Sequence, residues 1–245
     1  MTVLIATPTA GNVVTTALVS SVVSATIALN EAGHRYGQMV LDGSDIVLAR
    51  NYFANLVLRS PAFSHLLFID SDMLIGTDVF RRLLAADLPI VGVVYPEKKL
   101  DRERYAALLA EGMPEARARA QSVRFNVRTP GNRLDLREGF ALVEGMGFGC
   151  VLLRRDLLER MAASPAVAEV TRLKYRQEFG WESHRDFFAP IVLEDGDHLS
   201  EDYAFCARVR ALGDVPIAAL IDGEIAHIGQ QAYAAEFREL LQRKD

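Results

Sequence analysis

The chain has 245 residues, half of them hydrophobic and 24% charged, a composition that excludes disordered and collagen-like chains. A chain of this length buries roughly three-quarters of its unfolded surface and needs no staples. Twenty-seven basic against 32 acidic residues leave a formal charge of −5, so no broad basic field invites nucleic acid.

Two cysteines, Cys150 and Cys206, are too few for a disulfide framework or a cysteine-based zinc site, and both are expected to be buried in a reducing compartment. No basic segment precedes an apolar one at the N-terminus, so no signal peptide is expected. The stretch from Val13 to Leu29 is interrupted by six Ser and Thr residues and reads as a packed helix, not a membrane span. A single domain over residues 1–245 is expected, cytoplasmic, with peripheral contact at a membrane left open.

Val3-Leu4-Ile5-Ala6 is a short buried strand closed by Thr7-Pro8-Thr9-Ala10-Gly11-Asn12. A helix from about Val14 to Glu31 stops at Gly33, and Tyr36 to Leu41 is the next strand. Ser44 is the expected cap of a helix from Asp45 to Arg59, with Pro61 just past its end. Leu66-Leu67-Phe68-Ile69 is a strand that ends abruptly in Asp70-Ser71-Asp72. A helix from Asp78, capped by Thr77, leads to a strand from Ile90 to Val94. Helices alternating with buried strands imply an α/β fold with a mostly parallel central sheet flanked by helices.

Beyond Pro96 the rhythm changes. A charged helical stretch from Asp101 to Ala120 is broken near Gly112-Met113-Pro114, and strands follow at Ser122–Val127, Phe140–Val143 and Phe148–Leu153. After a helix from Asp156 to Ala163, residues 170–197 lack periodicity and read as a long loop, a feature usually functional or mobile. Ser200 caps a helix to about Leu212. Strands near Val215–Ile221 and Glu224–Ile228 and a last helix from about Tyr233 complete the chain.

Asp70-Ser71-Asp72 follows four apolar residues, at the strand end where open α/β sheets bind ligands. Two carboxylates there suit a hard divalent cation bridging to a diphosphate, or form a capping turn. In Ser200-Glu201-Asp202 both acids fall in a first helical turn, where the dipole stabilises them, and either is placed to act as a general base. His227, among apolar neighbours, is either a core histidine or a third metal ligand. Gly145, Gly147 and Gly149 strip one strand face for close approach by ligand or backbone, and lack the turn-into-helix setting of a dinucleotide loop. Trp181 either stacks on a sugar or pins its loop.

With these residues in place, the sequence resembles a metal-dependent glycosyltransferase of the GT-A fold, of a bacterial and viral subgroup. Leu67 to Asp72 looks like its DxD motif after an apolar strand, and Glu144 to Arg155 like its glycine-rich strand. Ser200-Glu201-Asp202 looks like its xED motif, and His227 in His-Ile-Gly like its C-terminal metal ligand. Ala49-Arg50-Asn51 and Tyr95-Pro96-Glu97-Lys98 resemble two further stretches.

The resemblance implies a Rossmann-type sandwich. Residues 1–100 would form the nucleotide-sugar half and residues 101–245 the acceptor half. Asp70, Asp72 and His227 would hold Mn2+ or Mg2+ against the diphosphate of a UDP- or GDP-linked sugar. Thr7, Pro8, Asp42, Ser71 and Gly147 would border the donor, with Arg50 and Lys98 on its diphosphate or sugar. Arg50 reads equally well as half of a salt bridge on a helix face. Asp202 would be the base for an acceptor hydroxyl in an inverting reaction, with Glu201 second to it, or would orient the acceptor in a retaining one. Trp181 and Gly149 would face a carbohydrate, lipid-linked or protein acceptor.

Two other readings compete. A sugar-nucleotide nucleotidyltransferase would carry a basic glycine-rich loop after its first strand, and Thr7 to Asn12 holds no Arg or Lys. A catalytically silent nucleotide- or carbohydrate-binding protein would have no need of Asp70, Asp72, Asp202 and His227 together.

Overall fold

The computed structural model describes residues 1–43, 45–131 and 134–229. The expected cap Ser44 and the expected helix from Tyr233 lie outside them.

The chain opens with β1 (Thr2–Thr9), α1 (Thr16–Glu31), β2 (Arg35–Asp42), α2 (Ile46–Arg59) and β3 (His65–Ile69). A short strand β4 (Met73–Ile75) leads to α3 (Thr77–Ala85), β5 (Ile90–Val93) and β6 (Pro96–Leu100). The helix ends follow local chemistry. Thr15 accepts a hydrogen bond from Leu18 N at the start of α1 (3.2 Å), and the chain leaves that helix through Gly33 at φ +67°. Asp45 caps α2 by accepting from Leu48 N at 3.0 Å. Thr77 is the first residue of α3 and not its cap, because the helix starts one residue earlier than expected, after Gly76.

The expected break at Gly112-Met113-Pro114 separates α4 (Arg102–Ala110) from α5 (Glu115–Gln121). Short strands β7 (Val123–Phe125), β8 (Val127–Arg128), β9 (Leu136–Arg137), β10 (Phe140–Leu142) and β11 (Gly145–Met146) lead to β12 (Cys150–Arg154) and α6 (Arg155–Ala163). Residues 170–197 are not one loop. They hold α7 (Leu173–Phe179) and strands β13 (Glu169–Val170) with β14 (His184–Arg185), then β15 (Ile191–Val192) with β16 (His198–Leu199). Helix α8 (Glu201–Arg210), β17 (Ala218–Leu220) and β18 (Ile225–His227) come next.

Eight strands form the central sheet in the order β2-β1-β3-β12-β5-β17-β10-β9. Six share one direction, but β12 and β10 run against them, so the sheet is mixed. Period-two alternation sends Leu4, Leu66, Phe68 and Val151 to one face under α2 and α6. Val3, Ile5, Leu67 and Leu152 go to the other, under α1 and α3. The antiparallel strand β12 starts where β3 ends, with Cys150 opposite Ile69. It therefore carries the glycine-rich segment to the carboxyl end of β3.

Buried polar side chains of α2 and α8 fix the segment before α8. Asn51 donates to Asp186 Oδ1 (2.6 Å) and accepts from Phe188 N (3.2 Å). Asn55 donates to the Arg185 carbonyl and accepts from its N–H, both at 2.8 Å. Arg208 donates to the carbonyls of Phe187 and Ala189.

Candidate active site

The Asp70-Ser71-Asp72 turn is held from three sides. Asp70 N donates to the Gly149 carbonyl at 2.9 Å. The Ser71 carbonyl accepts from the backbone N–H and the hydroxyl of Thr15 (3.1 and 2.9 Å). Buried Ser21 of α1 donates to the Met73 carbonyl and accepts from Ile75 N, both at 2.8 Å, which fixes β4. Antiparallel pairing of β18 with β4 sets His227 opposite Met73, and Ile228 N donates to the Asp72 carbonyl at 2.8 Å.

That register brings His227 Nε2 to 3.4 Å from Asp72 Oδ1, while Nδ1 lies 3.0 Å from the Pro96 carbonyl. A carbonyl only accepts, so Nδ1 carries the hydrogen and the Nε2 of a neutral ring turns its lone pair toward a carboxylate. Two acceptors facing each other require a proton or a cation between them. A ring N–H on a backbone carbonyl is also the usual support of a metal-ligating histidine. Lys98 forms an ion pair with Asp72. Burial pushes the Asp72 carboxyl up, but a hydrogen bond from His227 with a proton on Nε2, and one from Lys98, outweigh it and hold it at about 2.

Arg50 lies deeper, on the second turn of α2 and only 2% exposed. Its guanidinium pairs with Asp70 (3.2 Å), Glu201 (3.4 Å) and Asp202. It also lies over the Phe148 ring, 5.4 Å from the centroid. Asp202 Oδ2 accepts from Phe148 N at 3.0 Å, while Oδ1 accepts no hydrogen bond from the described residues. The expectation of a salt bridge on a helix face is therefore corrected: the pairing is real, but it is buried and joins three elements. Burial raises the Asp70 carboxyl, with Arg50 opposing. The Ser200 hydroxyl makes no capping bond at the head of α8, leaving Glu201 and Asp202 in the first turn to complement the dipole.

Four carboxylates thus face two permanent cations, Arg50 and Lys98, a local excess of negative charge that suits a divalent cation. Among the described residues no three His, Cys, Asp or Glu side chains are gathered to hold a metal ion, because Asp70 is turned toward Arg50. Asp72 and His227 remain as an adjacent pair.

Asp70, Asp72 and His227 open onto a cleft of about 250 Å3 lined also by Pro8, Thr9, Ala10, Gly43, Ile46, Ser71 and Tyr95. Pro8 and Ser71 therefore border the space expected of them. Thr7 does not: it is fully buried, and Thr9 takes its place. Asp42 braces the loop after β1 by accepting from Asn12 N at 2.8 Å, and its neighbour Gly43 lines the cleft.

Gly147 and Gly149 do serve close approach, but of protein. A Cβ on Gly147 would come within 2.9 Å of Tyr95 Cζ, and one on Gly149 within 2.7 Å of the same atom. The Tyr95 hydroxyl accepts from Gly149 N at 3.1 Å, and its ring meets His227 edge-on. Trp181 is stacked on Tyr52 (5.0 Å, 10°) with the Arg59 guanidinium over it, so it pins its segment to α2 and makes no contact with the carboxylates. Sequence reasoning missed Phe148 and Tyr95 as supports of the site. The signal for Phe148 was its place between Gly147 and Gly149; the sequence carried none that ties Tyr95 to them.

No family model matches the chain, and no curated protein matches its sequence. Several solved structures are similar, among them the following three. A protein from STIV is 14% identical, with 96% of this chain and 98% of that one covered and a TM-score of 0.46. A Drosophila β-1,4-galactosyltransferase 7 mutant in complex with manganese, UDP-Gal and xylobiose is 13% identical, covering 99% and 80%, with a TM-score of 0.44. A glycosyltransferase involved in glycosylation of the major capsid of PBCV-1 is 7% identical, covering 72% and 75%, with a TM-score of 0.29. At these identities and scores the matches assign no activity to this chain. No helix among the described residues is long and apolar enough to cross a membrane.

Proposed function

We propose that the chain is a metal-dependent glycosyltransferase that moves a sugar from a UDP- or GDP-linked donor to an acceptor hydroxyl. One observation carries this reading. Two acidic motifs some 130 residues apart, Asp70–Asp72 and Glu201–Asp202, meet at the carboxyl end of β3 beside a cleft, with the His227 Nε2 facing Asp72.

Asp72 and His227 would hold Mn2+ or Mg2+, with Asp70, anchored on Arg50, assisting from behind the turn. The bound cation supplies Lewis-acid stabilisation of the charge on the leaving diphosphate. Lys98 adds a second positive charge at the same edge, placed to contact that diphosphate when it exchanges from Asp72. Pro8, Thr9, Gly43 and Tyr95 bound the space for the nucleoside. Asp202 is the base that takes the acceptor proton in an inverting transfer, oriented by Arg50 and Phe148 N, with Glu201 beside it.

Donor turnover tests this directly. Incubated with Mn2+ and UDP- or GDP-sugars, the protein is expected to release the nucleoside diphosphate of one donor class, and EDTA should stop it. Asp202→Asn should keep donor binding and lose transfer. A donor that binds but is not turned over with any acceptor, even water, would make this a binding protein.

A further inference from the structure

The first 30 residues contain no charged side chain, in a chain that is 24% charged overall. Within them α1 is apolar on the side against which none of the described residues packs. Its inner side buries Leu18, Ser21, Ala25, Ala28 and Leu29. Directly opposite, Val19, Val23 and Ile27 are 57%, 52% and 42% exposed. At four-residue spacing they form one continuous stripe. Large β-branched side chains on an uncharged outer helix face mark an interaction surface.

The adjoining edge strand continues it. Tyr36 and Val40 of β2 are paired in register with Val3 and Thr7, and Val3 packs with Leu18 and Ala25, so these residues face the α1 side. Both are exposed. A 16-residue helix is about 24 Å long. Alone it falls short of the roughly 800 Å2 that each partner of a stable pair buries, and the edge strand widens it.

The order of residues along the stripe points to its occupant. Val23 lies at the centre, with Ser20 and Thr26 three residues away, Val19 and Ile27 four away, and Thr16 and Asn30 seven away. Each pair is alike in polarity. Laid antiparallel on a copy of itself, the helix sets Val19 against Ile27, Ser20 against Thr26 and Val23 against Val23. A two-fold interface requires this self-complementarity. A membrane surface would instead favour Lys and Arg flanking Trp, Phe and Leu, and the outer side of α1 has none of these.

We infer that α1 and β2 form the face through which two copies of this chain pair, about a two-fold axis passing through Val23. Such pairing is independent of the activity proposed for the cleft.

Sedimentation velocity on the full chain tests it. The wild-type protein should have the mass of two chains, and Val23→Asp, which sets two carboxylates together on the axis, that of one, with its circular-dichroism spectrum unchanged and its thermal midpoint equal to that of the wild type diluted to monomer. If Val23→Asp does not fold, Val23→Cys supplies the test. Under oxidation it should cross-link to itself and Thr16→Cys should not, since the native cysteines are buried. A wild-type protein that stays monomeric as its concentration rises, or a pair that survives Val23→Asp, would overturn the inference. So would a midpoint that falls on that substitution even at dilutions where the wild type is itself monomeric, because the stripe would then be covered by its own chain.

Discussion

Asp70 and Asp72 leave the same strand two residues apart, and the fold uses them in opposite ways. Asp70 turns inward to a buried guanidinium shared with Glu201 and Asp202. Asp72 turns outward to Lys98 and His227 at the cleft. The inner centre is costly to leave unpaired and so fixes geometry, whereas the outer one exchanges partners cheaply and so suits a ligand. A single acidic motif thus combines a structural anchor with an exchangeable site.

The largest effect should come from removing the inner cation. Arg50→Met leaves Asp70, Glu201 and Asp202 without their shared partner and should cost about 3–5 kcal/mol in urea unfolding. Arg50→Lys should recover only part, because one ammonium cannot fork to three carboxylates. Next, Asn51→Ala would leave Asp186 Oδ1 and Phe188 N without their partner, at about 1–3 kcal/mol for each group left unsatisfied, although Asp186 Oδ2 keeps Arg172. It should also speed proteolysis between residues 170 and 190. By contrast, Asp72→Ala should change stability by less than about 1 kcal/mol, as expected of a partly exposed pair.

A smaller effect separates the packed region from the site by pH. His184 is 2% exposed against Tyr175, with no partner for either ring nitrogen, and burial lowers it from 6.5 to about 4. The neutral ring is the folded form, so its contribution is complete above pH 6.5 and is lost as pH falls toward 4. Over that window the wild type should lose unfolding free energy relative to His184→Leu as the pH falls. Parallel profiles would show that His184 does not titrate on unfolding.

The first hundred residues are largely legible because each buried strand carries its own punctuation: Gly33 after α1, the acidic turn after β3, Pro96 after β5. Strand direction is not legible, since apolar runs at Ile90–Val93 and Cys150–Arg154 look alike whichever way they pair. Asp70, Asp72, Asp202 and His227 stand out as acids or imidazole at element ends. Their division into two centres does not, because it depends on Arg50, one cation reaching residues 20 and some 150 positions away. Residues 170–197 read as a loop because Asn51, Asn55 and Arg208 hold them through single polar contacts, which leave no period in the sequence. The glycines do permit close approach, but Tyr95, unmarked by any spacing, fills the room they make.

The most direct test of the outer site is a thermal-shift comparison of wild type and Asp72→Ala with UDP and GDP, each with Mn2+ and with EDTA. At about 100 times its dissociation constant, a specific ligand adds roughly 2.7 kcal/mol of stability. The wild type should show this for one nucleoside diphosphate only when Mn2+ is present. Asp72→Ala, with an unchanged midpoint in the absence of ligand, should show none. An undiminished Mn2+-dependent shift in Asp72→Ala, or no shift with either nucleotide in the wild type, would contradict the assignment of Asp72 to a metal–nucleotide site.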